Sequence, residues 1–317
     1  MQRTMRSHVL GIWTLVLYIL LTAGLVVSSS AQQFIPLWPE SFIQQTPGIA
    51  LKDSIVNDRI VKVGIPGMWA FFPSAQENKG AAVIICPGGG YERLAYNAAG
   101  LQIAKWFNTF GVNAFVLKYR LPNAPNLRNR QLVPLQDAQR AMRLIRAHAK
   151  QWGIVPDKIG IFGTSAGGHL AALLGTHGGD VSAIGDPFDT AAFRPNFLIL
   201  ISPVIDLGTY AHVGSRKNLL GPSASQELIR EYSPYLHVTS ATPPSFIVQA
   251  FNDPAVPVRN SFLFAQALLD SNVQVSYHVF PQGAHSIGLR DNPGSTALWI
   301  SLCEQWMAEM GFTSGKK

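Results

Sequence analysis

Ser165, Asp253 and His285 have the residue types and the chain order that nucleophilic catalysis by serine requires. Residues 163–167 read Gly-Thr-Ser-Ala-Gly, between an apolar run that ends at Phe162 and small residues typical of a helix start. Such a stretch between a strand and a helix is typical of a sharp turn that exposes a nucleophilic hydroxyl. The helix N-terminus behind it offers backbone N–H groups to an anion. We therefore predict that Ser165 is a nucleophile.

A serine needs a base to accept its proton and a carboxylate to orient that base. Asp253 follows the apolar run 245–251, and His285 follows the next run, 273–280. The order serine, acid, histidine, with each residue after a strand, occurs in a large group of serine hydrolases. We predict that His285 is the base and that Asp253 orients it.

Other residues are alternatives for each role. Asp206 follows the preceding strand and is a second candidate acid, and Asp253 could instead cap a turn. His169, four residues past the serine, is expected to support the turn by a hydrogen bond. Three further histidines fall inside predicted elements or in the irregular region, and we expect them to be structural or surface groups: His148, His237 and His278.

The stretch Pro-Gly-Gly-Gly-Tyr at 87–91 follows a predicted strand that ends at Cys86. Consecutive glycines let the backbone turn its N–H groups toward a developing oxyanion. We predict that the N–H groups of Gly89, Gly90 and Ala166 form that oxyanion hole. A nucleotide-binding loop is the alternative, but the glycine spacing of such loops is absent here.

From Ala81 onward, short runs rich in Val, Ile and Leu alternate with amphipathic segments. The predicted strands are 81–86, 112–119, 158–162, 197–203, 245–251 and 273–280, and the predicted helices are 99–110, 137–152, 167–174, 259–269 and 296–310. This alternation predicts an α/β fold with a mostly parallel sheet and helices on both faces. Residues 59–73 predict one or two short strands, residues 32–58 are weakly patterned, and residues 204–235 form an irregular insertion that could be a small cap.

Composition limits the kind of protein. Hydrophobic residues at 47% and charged residues at 14% are typical of a globular chain with a sizeable core. The formal net charge is +7, but the basic residues are scattered singly, so we predict no nucleic-acid partner. Cys86 and Cys303 are expected to be buried thiols. No metal-ligand spacing is present, and no cofactor is implied.

The N-terminus has the features of an export signal. Arg3 and Arg6 precede an uncharged stretch over 9–27, which small residues follow at 28–31. This pattern predicts a signal peptide over 1–31, cleaved before Gln32, and a single catalytic domain over 32–317. The alternative is an uncleaved N-terminal membrane anchor. Both place the domain outside the cytoplasm, in the periplasm or the medium, and only the anchor implies a membrane partner.

Several segments together resemble the bacterial acetylxylan esterase and feruloyl-esterase-like branch of the α/β-hydrolase superfamily. They are Pro-Gly-Gly-Gly-Tyr at 87–91, Phe-Val-Leu-Lys-Tyr-Arg-Leu-Pro at 115–122, Pro-Leu-Gln-Asp-Ala-Gln-Arg-Ala at 134–141, residues 163–170, and Asp-Pro-Ala-Val-Pro-Val at 253–258. The resemblance implies an exported serine carboxylesterase that removes acetyl or other short acyl groups from plant-cell-wall polysaccharide. A general short-chain esterase or lipase, a serine peptidase and a non-catalytic binding protein remain alternatives.

The chain departs from the family pattern at two positions. His285 is followed by Ser-Ile-Gly, where family members usually have Gly-Phe-Gly, so the loop shape and acyl preference are expected to differ. The acid turn usually opens with two acidic residues, and here Asn252 precedes Asp253. We expect Asp253 to suffice, because its role is to hold the imidazole in one tautomer.

Overall fold

The buried apolar runs form the strands of a central sheet. The computed structural model describes residues 33–44, 52–124, 127, 129–285 and 287–313, and the predicted signal segment lies outside these ranges. The strands are β1 (Gln33–Pro36), β2 (Ser54–Val56), β3 (Arg59–Lys62), β4 (Gly67–Phe71), β5 (Ala82–Cys86), β6 (Asn113–Lys118), β7 (Ile159–Thr164), β8 (Leu198–Ile201), β9 (Ser245–Ala250) and β10 (Val275–Phe280).

Helices connect most of these strands. The α-helices are α1 (Glu40–Gln44), α2 (Gln102–Thr109), α3 (Val133–Ala147), α4 (Ala166–Thr176), α5 (Val213–Leu220), α6 (Gln226–Glu231), α7 (Arg259–Asp270) and α8 (Trp299–Glu309). A π-helical turn (Asn97–Leu101) leads into α2, and 3-10 turns cover Pro187–Thr190, Pro234–His237 and Gly294–Leu298. Within the described part of the chain, no helix combines the length and the hydropathy needed to cross a bilayer.

The strand order of the described sheet is β1-β4-β6-β5-β7-β8-β9-β10. Neighbours from β6 to β10 run parallel, whereas β4 is antiparallel to both β6 and β1. This mostly parallel sheet confirms the predicted α/β-hydrolase fold class. Parallel strands end at the same edge, so the loops that follow β5, β7, β9 and β10 meet there.

Each central strand is buried on both faces, which accounts for its nearly continuous apolar sequence. Ile84, Ile161 and Leu200 point into one core, which α3, α4 and α7 cover. Val83 and Phe162, whose side chains point to the opposite face, belong to a second core that α2 and α8 cover. The strands that carry the loops at this edge are therefore packed on both faces, and side chains supported by such packed elements are positioned more precisely than those on isolated loops.

Several predicted boundaries were wrong. Helix α3 begins at Val133 rather than Asp137, because Pro134 suits the first turn of a helix, and it ends at Ala147. The insertion over 204–235, expected to be irregular, contains α5 and α6. Residues 32–58 include β1, which pairs with β4 and extends the sheet.

The prediction that Cys86 and Cys303 are buried free thiols is confirmed.

Candidate active site

Ser165 lies on the turn between β7 and α4, with φ 54° and ψ −121°. A non-glycine residue in this region costs about 1–3 kcal/mol, which the surrounding packing must offset. The two flanking glycines permit that packing. A Cβ at Gly163 would collide with the carbonyl oxygen of Gly167, and a Cβ at Gly167 would collide with the carbonyl oxygen of Cys86. The glycine-x-serine-x-glycine spacing therefore follows from the close approach of β5, β7 and α4.

The His285 ring lies between Ser165 and Asp253. Its Nδ1 is 2.7 Å from Asp253 Oδ2, and its Nε2 is 2.8 Å from Ser165 Oγ. A carboxylate only accepts, so Nδ1–H donates to Asp253, and Nε2 is left to accept the Ser165 hydroxyl proton. The structure thus brings together the three residues that the sequence proposes as nucleophile, base and acid.

The Asp253 side chain is fully buried and accepts several hydrogen bonds. Oδ1 accepts from the backbone N–H groups of Ala255 and Val256, each at 2.9 Å, and Oδ2 also accepts from Gln249 Nε2 at 2.9 Å. Burial alone would raise the pKa of Asp253, but the hydrogen bonds from His285, Val256 and Ala255 outweigh burial and lower the pKa. The carboxylate therefore stays ionised.

Sequence reasoning missed Gln249. Its amide also interacts with Ser261, whose hydroxyl donates to Gln249 Oε1 at 2.8 Å. The sequence feature that could have indicated Gln249 is its position: it is a polar residue in a mostly apolar strand, four positions before Asp253. Buried polar groups require partners, so such a residue points to a nearby polar site.

The loop that carries His285 is tied to the loop that carries Asp253. The Ala284 N–H donates to Asn252 Oδ1 at 2.9 Å, and Ala284 has a φ of 47°. Thr296 Oγ1 donates to the Gln282 carbonyl at 2.6 Å. Asn252, where family members usually have an acid, thus provides the hydrogen-bond acceptor that this loop needs. Ser286, the next position that departs from the family, lies outside the described residues.

Residues 87–91, with three consecutive glycines at 88–90, form a glycine loop directly beside the serine. A Cβ at Gly88 would lie 3.0 Å from Ser165 Cβ, and the Gly88 N–H donates to Thr164 Oγ1 at 3.0 Å. Gly89 and Gly90 have φ values of 141° and 66°. Both line the same cavity as Ser165 and His285. The third predicted donor of the oxyanion hole, Ala166, is fully buried at the first position of α4. The backbone N–H at that position of a helix has no intrahelical acceptor.

A buried histidine links the glycine loop to the insertion. His169 Nε2 is 2.8 Å from the Tyr232 carbonyl, and Nδ1 is 2.8 Å from Tyr91 Oη. A carbonyl only accepts, so Nε2–H donates and the Tyr91 hydroxyl donates to Nδ1. Burial lowers the pKa of His169 to about 4, which keeps the ring neutral. The predicted supporting hydrogen bond exists, but its partners lie in the glycine loop and the insertion rather than in the serine turn.

The alternative residues are engaged elsewhere. Asp206 accepts from the backbone N–H groups of Gly208 and Tyr210, as an aspartate that caps a turn does. The other three histidines also bond locally: His148 to the Leu144 carbonyl, His237 to the Arg230 carbonyl and His278 to the Ser276 hydroxyl. The described geometry therefore favours Asp253 and His285 over their alternatives.

Ser165 and His285 open into a cavity of about 560 Å³. One part of its lining is apolar and includes Ile103, Phe162, Ile201, Ile287 and Trp299. Another part is polar and includes Arg59, Glu92, Arg93, His212 and Asn218. Sequence reasoning expected a cap near the site but did not single out any of these polar residues.

Comparison with known proteins identifies the family. The model of the BD-FAE family matches residues 69–268. The acetylxylan esterase of Xylanibacter ruminicola is 32% identical over 249 residues, which are 77% of this chain and 47% of that protein. Endo-1,4-beta-xylanase B of Butyrivibrio fibrisolvens is 35% identical over 223 residues, which are 70% of this chain and 35% of that protein. The chain thus spans less than half the length of these two relatives.

Among solved structures, the acetyl ester-xyloside bifunctional hydrolase from Caldicellulosiruptor lactoaceticus has a TM-score of 0.74 and 36% identity. The match covers 88% of this chain and 97% of that chain. The carboxylesterase Cest-2923 from Lactobacillus plantarum, with a TM-score of 0.66 and 24% identity, has a similar fold. These matches confirm the resemblance inferred from the motifs. The chain belongs to the BD-FAE family and has the α/β-hydrolase fold of the esterases to which it is similar.

Proposed function

We propose that this protein is a serine carboxylesterase that removes acetyl or other short acyl groups from plant-cell-wall carbohydrate. The observation that carries the proposal is the position of the His285 ring, within hydrogen-bond distance of both Ser165 Oγ and Asp253 Oδ2. The names of the acetylxylan esterase and acetyl ester hydrolase relatives support the same substrate class.

In this mechanism Ser165 Oγ attacks the ester carbonyl while His285 Nε2 takes the hydroxyl proton. The carbonyl oxygen becomes an oxyanion, which the N–H groups of Gly89, Gly90 and Ala166 stabilise. When the intermediate collapses, the C–O bond to the alcohol breaks and His285 gives its proton to that alcohol. Water then attacks the acyl carbonyl, and His285 Nε2 takes a proton from that water. When this second intermediate collapses, the bond between the acyl carbon and Ser165 Oγ breaks, His285 returns the proton to Oγ, and a short acid is released.

Asp253 orients the His285 ring and stabilises the imidazolium that forms in each step. Its lowered pKa keeps it ionised, so it accepts the Nδ1–H bond without taking the proton. His285 then presents the unprotonated Nε2 to Ser165.

The lining of the cavity favours ester over glycoside hydrolysis. Relatives are named xylanase and xyloside hydrolase, and glycoside hydrolysis by the usual mechanism needs a pair of carboxylates across the bond. Among the described lining residues, Glu92 is the single carboxylate. The apolar part of the lining suits a short acyl group, and the polar part suits a carbohydrate alcohol.

Two substitutions with a matched control test the mechanism. Ser165→Ala and Asp253→Asn are each expected to lower kcat on acetylated xylan by about 10⁴-fold or more. Asp206→Asn is the control, because Asp206 is the sequence alternative and caps a turn. Acetate release is measured, together with hydrolysis of a feruloylated ester and of nitrophenyl esters of increasing chain length.

Three outcomes contradict the proposal. Activity that survives Ser165→Ala removes the nucleophile from the mechanism. A loss in Asp206→Asn that equals the loss in Asp253→Asn removes the assigned acid. Preference for long acyl chains reassigns the protein as a lipase.

Export is part of the proposal and rests on the residues over 1–31. Cleavage before Gln32 leaves a mature chain free of the membrane, and an uncleaved segment anchors it. The N-terminal sequence of the protein recovered from expressing cells distinguishes these forms, and recovery of uncleaved chain in the cytoplasm contradicts export.

A further inference from the structure

His212 lies at the N-terminal end of α5, and its ring is fixed by the residue three positions later. Ser215, which is fully buried, donates its backbone N–H to His212 Nδ1 at 3.1 Å, and its hydroxyl lies 2.8 Å from the same nitrogen. A backbone N–H can only donate, so Nδ1 carries a lone pair. The neutral ring therefore has its proton on Nε2.

The same ring borders the candidate active site. His212 lines the cavity, and its Cε1 would lie 3.8 Å from a Cβ placed on Gly90. Asn218 also lines the cavity and donates its Nδ2 to the Gly90 carbonyl at 2.9 Å, which leaves Oδ1 as an acceptor. Within the described ranges, neither His212 Nε2 nor Asn218 Oδ1 has a hydrogen-bond partner.

These two groups lie on the wall that the insertion supplies. Leu219 and Leu220 anchor α5 in the core on one face of the sheet. The apolar cavity residues Phe162 and Trp299 belong to the core on the other face. The cavity thus has an apolar part that suits the acyl group. Its polar part, on the insertion, offers His212 Nε2–H as a donor and Asn218 Oδ1 as an acceptor.

We propose that His212 and Asn218 form a hydroxyl-binding subsite for the alcohol part of the ester. A sugar hydroxyl is both donor and acceptor, so it can accept from His212 Nε2–H and donate to Asn218 Oδ1. The subsite deepens the proposed esterase function and rests on it. It selects an ester whose alcohol carries a further hydroxyl near the bond that is cleaved, as acetylated sugars do.

The ring stays in the required form at neutral pH. Burial, and then the neighbouring His285, lower the pKa of His212 below its usual value. A neutral ring can keep accepting the Ser215 N–H while it donates from Nε2.

The test must separate this subsite from the role of His212 in starting α5. His212→Asn does so, because asparagine is among the best N-cap residues and its side-chain oxygen can accept the Ser215 N–H. The variant keeps the cap. Asparagine still has an NH₂ group, but with Oδ1 in the place of Nδ1 that group ends one atom short of the position of His212 Nε2, so the donor at that position is lost. His237→Asn, at an exposed position after α6, is the matched control.

The readout is the ratio of kcat/KM on glycerol monoacetate to kcat/KM on ethyl acetate, which share the acyl group and differ in the alcohol hydroxyls. We expect this ratio to fall about 3- to 10-fold in His212→Asn, which is the effect of one ordinary hydrogen bond. Both esters are assayed on one preparation, so the ratio does not depend on how much enzyme is folded. Asn218→Ala is the second variant, and the same ratio is expected to fall in it.

An unchanged ratio, or equal losses on both esters, overturns the subsite. Wild-type protein that hydrolyses these esters but releases no acetate from acetylated xylan overturns the polysaccharide substrate alone, and the ratio still tests the subsite. Absence of all ester hydrolysis by wild type overturns the proposed function and the subsite together.

Discussion

Replacing Tyr91 by Phe removes one buried hydroxyl and leaves the aromatic ring in place. That hydroxyl donates to His169 Nδ1 at 2.8 Å, and Tyr91 is fully buried directly after Gly90. His169 cannot compensate by moving its proton, because Nε2–H already donates to the Tyr232 carbonyl at 2.8 Å. The substitution therefore leaves a buried acceptor without a partner, which costs about 1–3 kcal/mol of unfolding free energy.

In a domain of this size, each kcal/mol corresponds to about 2 °C in melting temperature, so Tyr91→Phe is expected to lower Tm by about 2–6 °C. The glycine loop loses one of the side-chain hydrogen bonds that hold it. Those with Tyr119, Thr164 and Asn218 remain, and the Tyr119 hydroxyl donates to the Pro87 carbonyl at 2.8 Å. If the glycine loop shifts, the N–H groups of Gly89 and Gly90 stabilise the oxyanion of the transition state less well. We therefore expect kcat to fall by up to about 10²-fold while KM stays nearly constant.

Thermal unfolding and steady-state hydrolysis of nitrophenyl acetate measure the two effects. Tyr277→Phe, on β10, is the matched control, because the half-buried Tyr277 hydroxyl has no hydrogen bond among the described residues. An unchanged Tm in Tyr91→Phe would refute the idea that this buried bond holds the glycine loop. A rise in KM with unchanged kcat would refute its link to the oxyanion.

Three more outcomes are expected. Burial lowers the pKa of His169 from 6.5 to about 4. Between these two pH values the unfolded chain binds a proton that the folded chain does not. The free energy of unfolding therefore falls as the pH is lowered from 6.5 to 4, by up to about 1.4 kcal/mol per pH unit. In urea unfolding, the stability gap between wild type and His169→Asn should narrow from pH 6.5 to 4, and a constant gap contradicts this. In the same assay, Gly167→Ala should lower the free energy of unfolding by about 1–3 kcal/mol, because the added Cβ would collide with the Cys86 carbonyl. Gly178→Ala is the control and should leave it unchanged, because the nearest atom to a Cβ at that position is 3.6 Å away. Ser202→Ala should leave stability unchanged or raise it by up to about 1 kcal/mol, since the Ser202 hydroxyl at the cavity wall has no protein partner in the described structure, and a lower Tm would show that solvent in the cavity stabilises it.

The sequence predicts the sheet well because its strands are buried on both faces. A continuous apolar run such as Ala-Val-Ile-Ile-Cys at 82–86 has few alternative structures when helical segments alternate with such runs. The edge of the sheet is different. Residues 33–36 are only partly buried, and they form β1 because the antiparallel partner β4 is present. Helix α5 was missed for a related reason: Leu219 and Leu220 are its main buried apolar residues, so it has no clear helical period.

Residue order along the chain indicates which loops carry Ser165, Asp253 and His285, because parallel strands end at one edge of a sheet. The hydrogen bond from Gln249 to Asp253 and the free Nε2 of His212 in the cavity could not be inferred in this way. Each depends on side-chain distances across elements that are remote in sequence. Local patterns therefore determined the fold class and proposed the three candidate catalytic residues, whereas only tertiary packing decided their hydrogen-bond partners and the polar wall of the cavity.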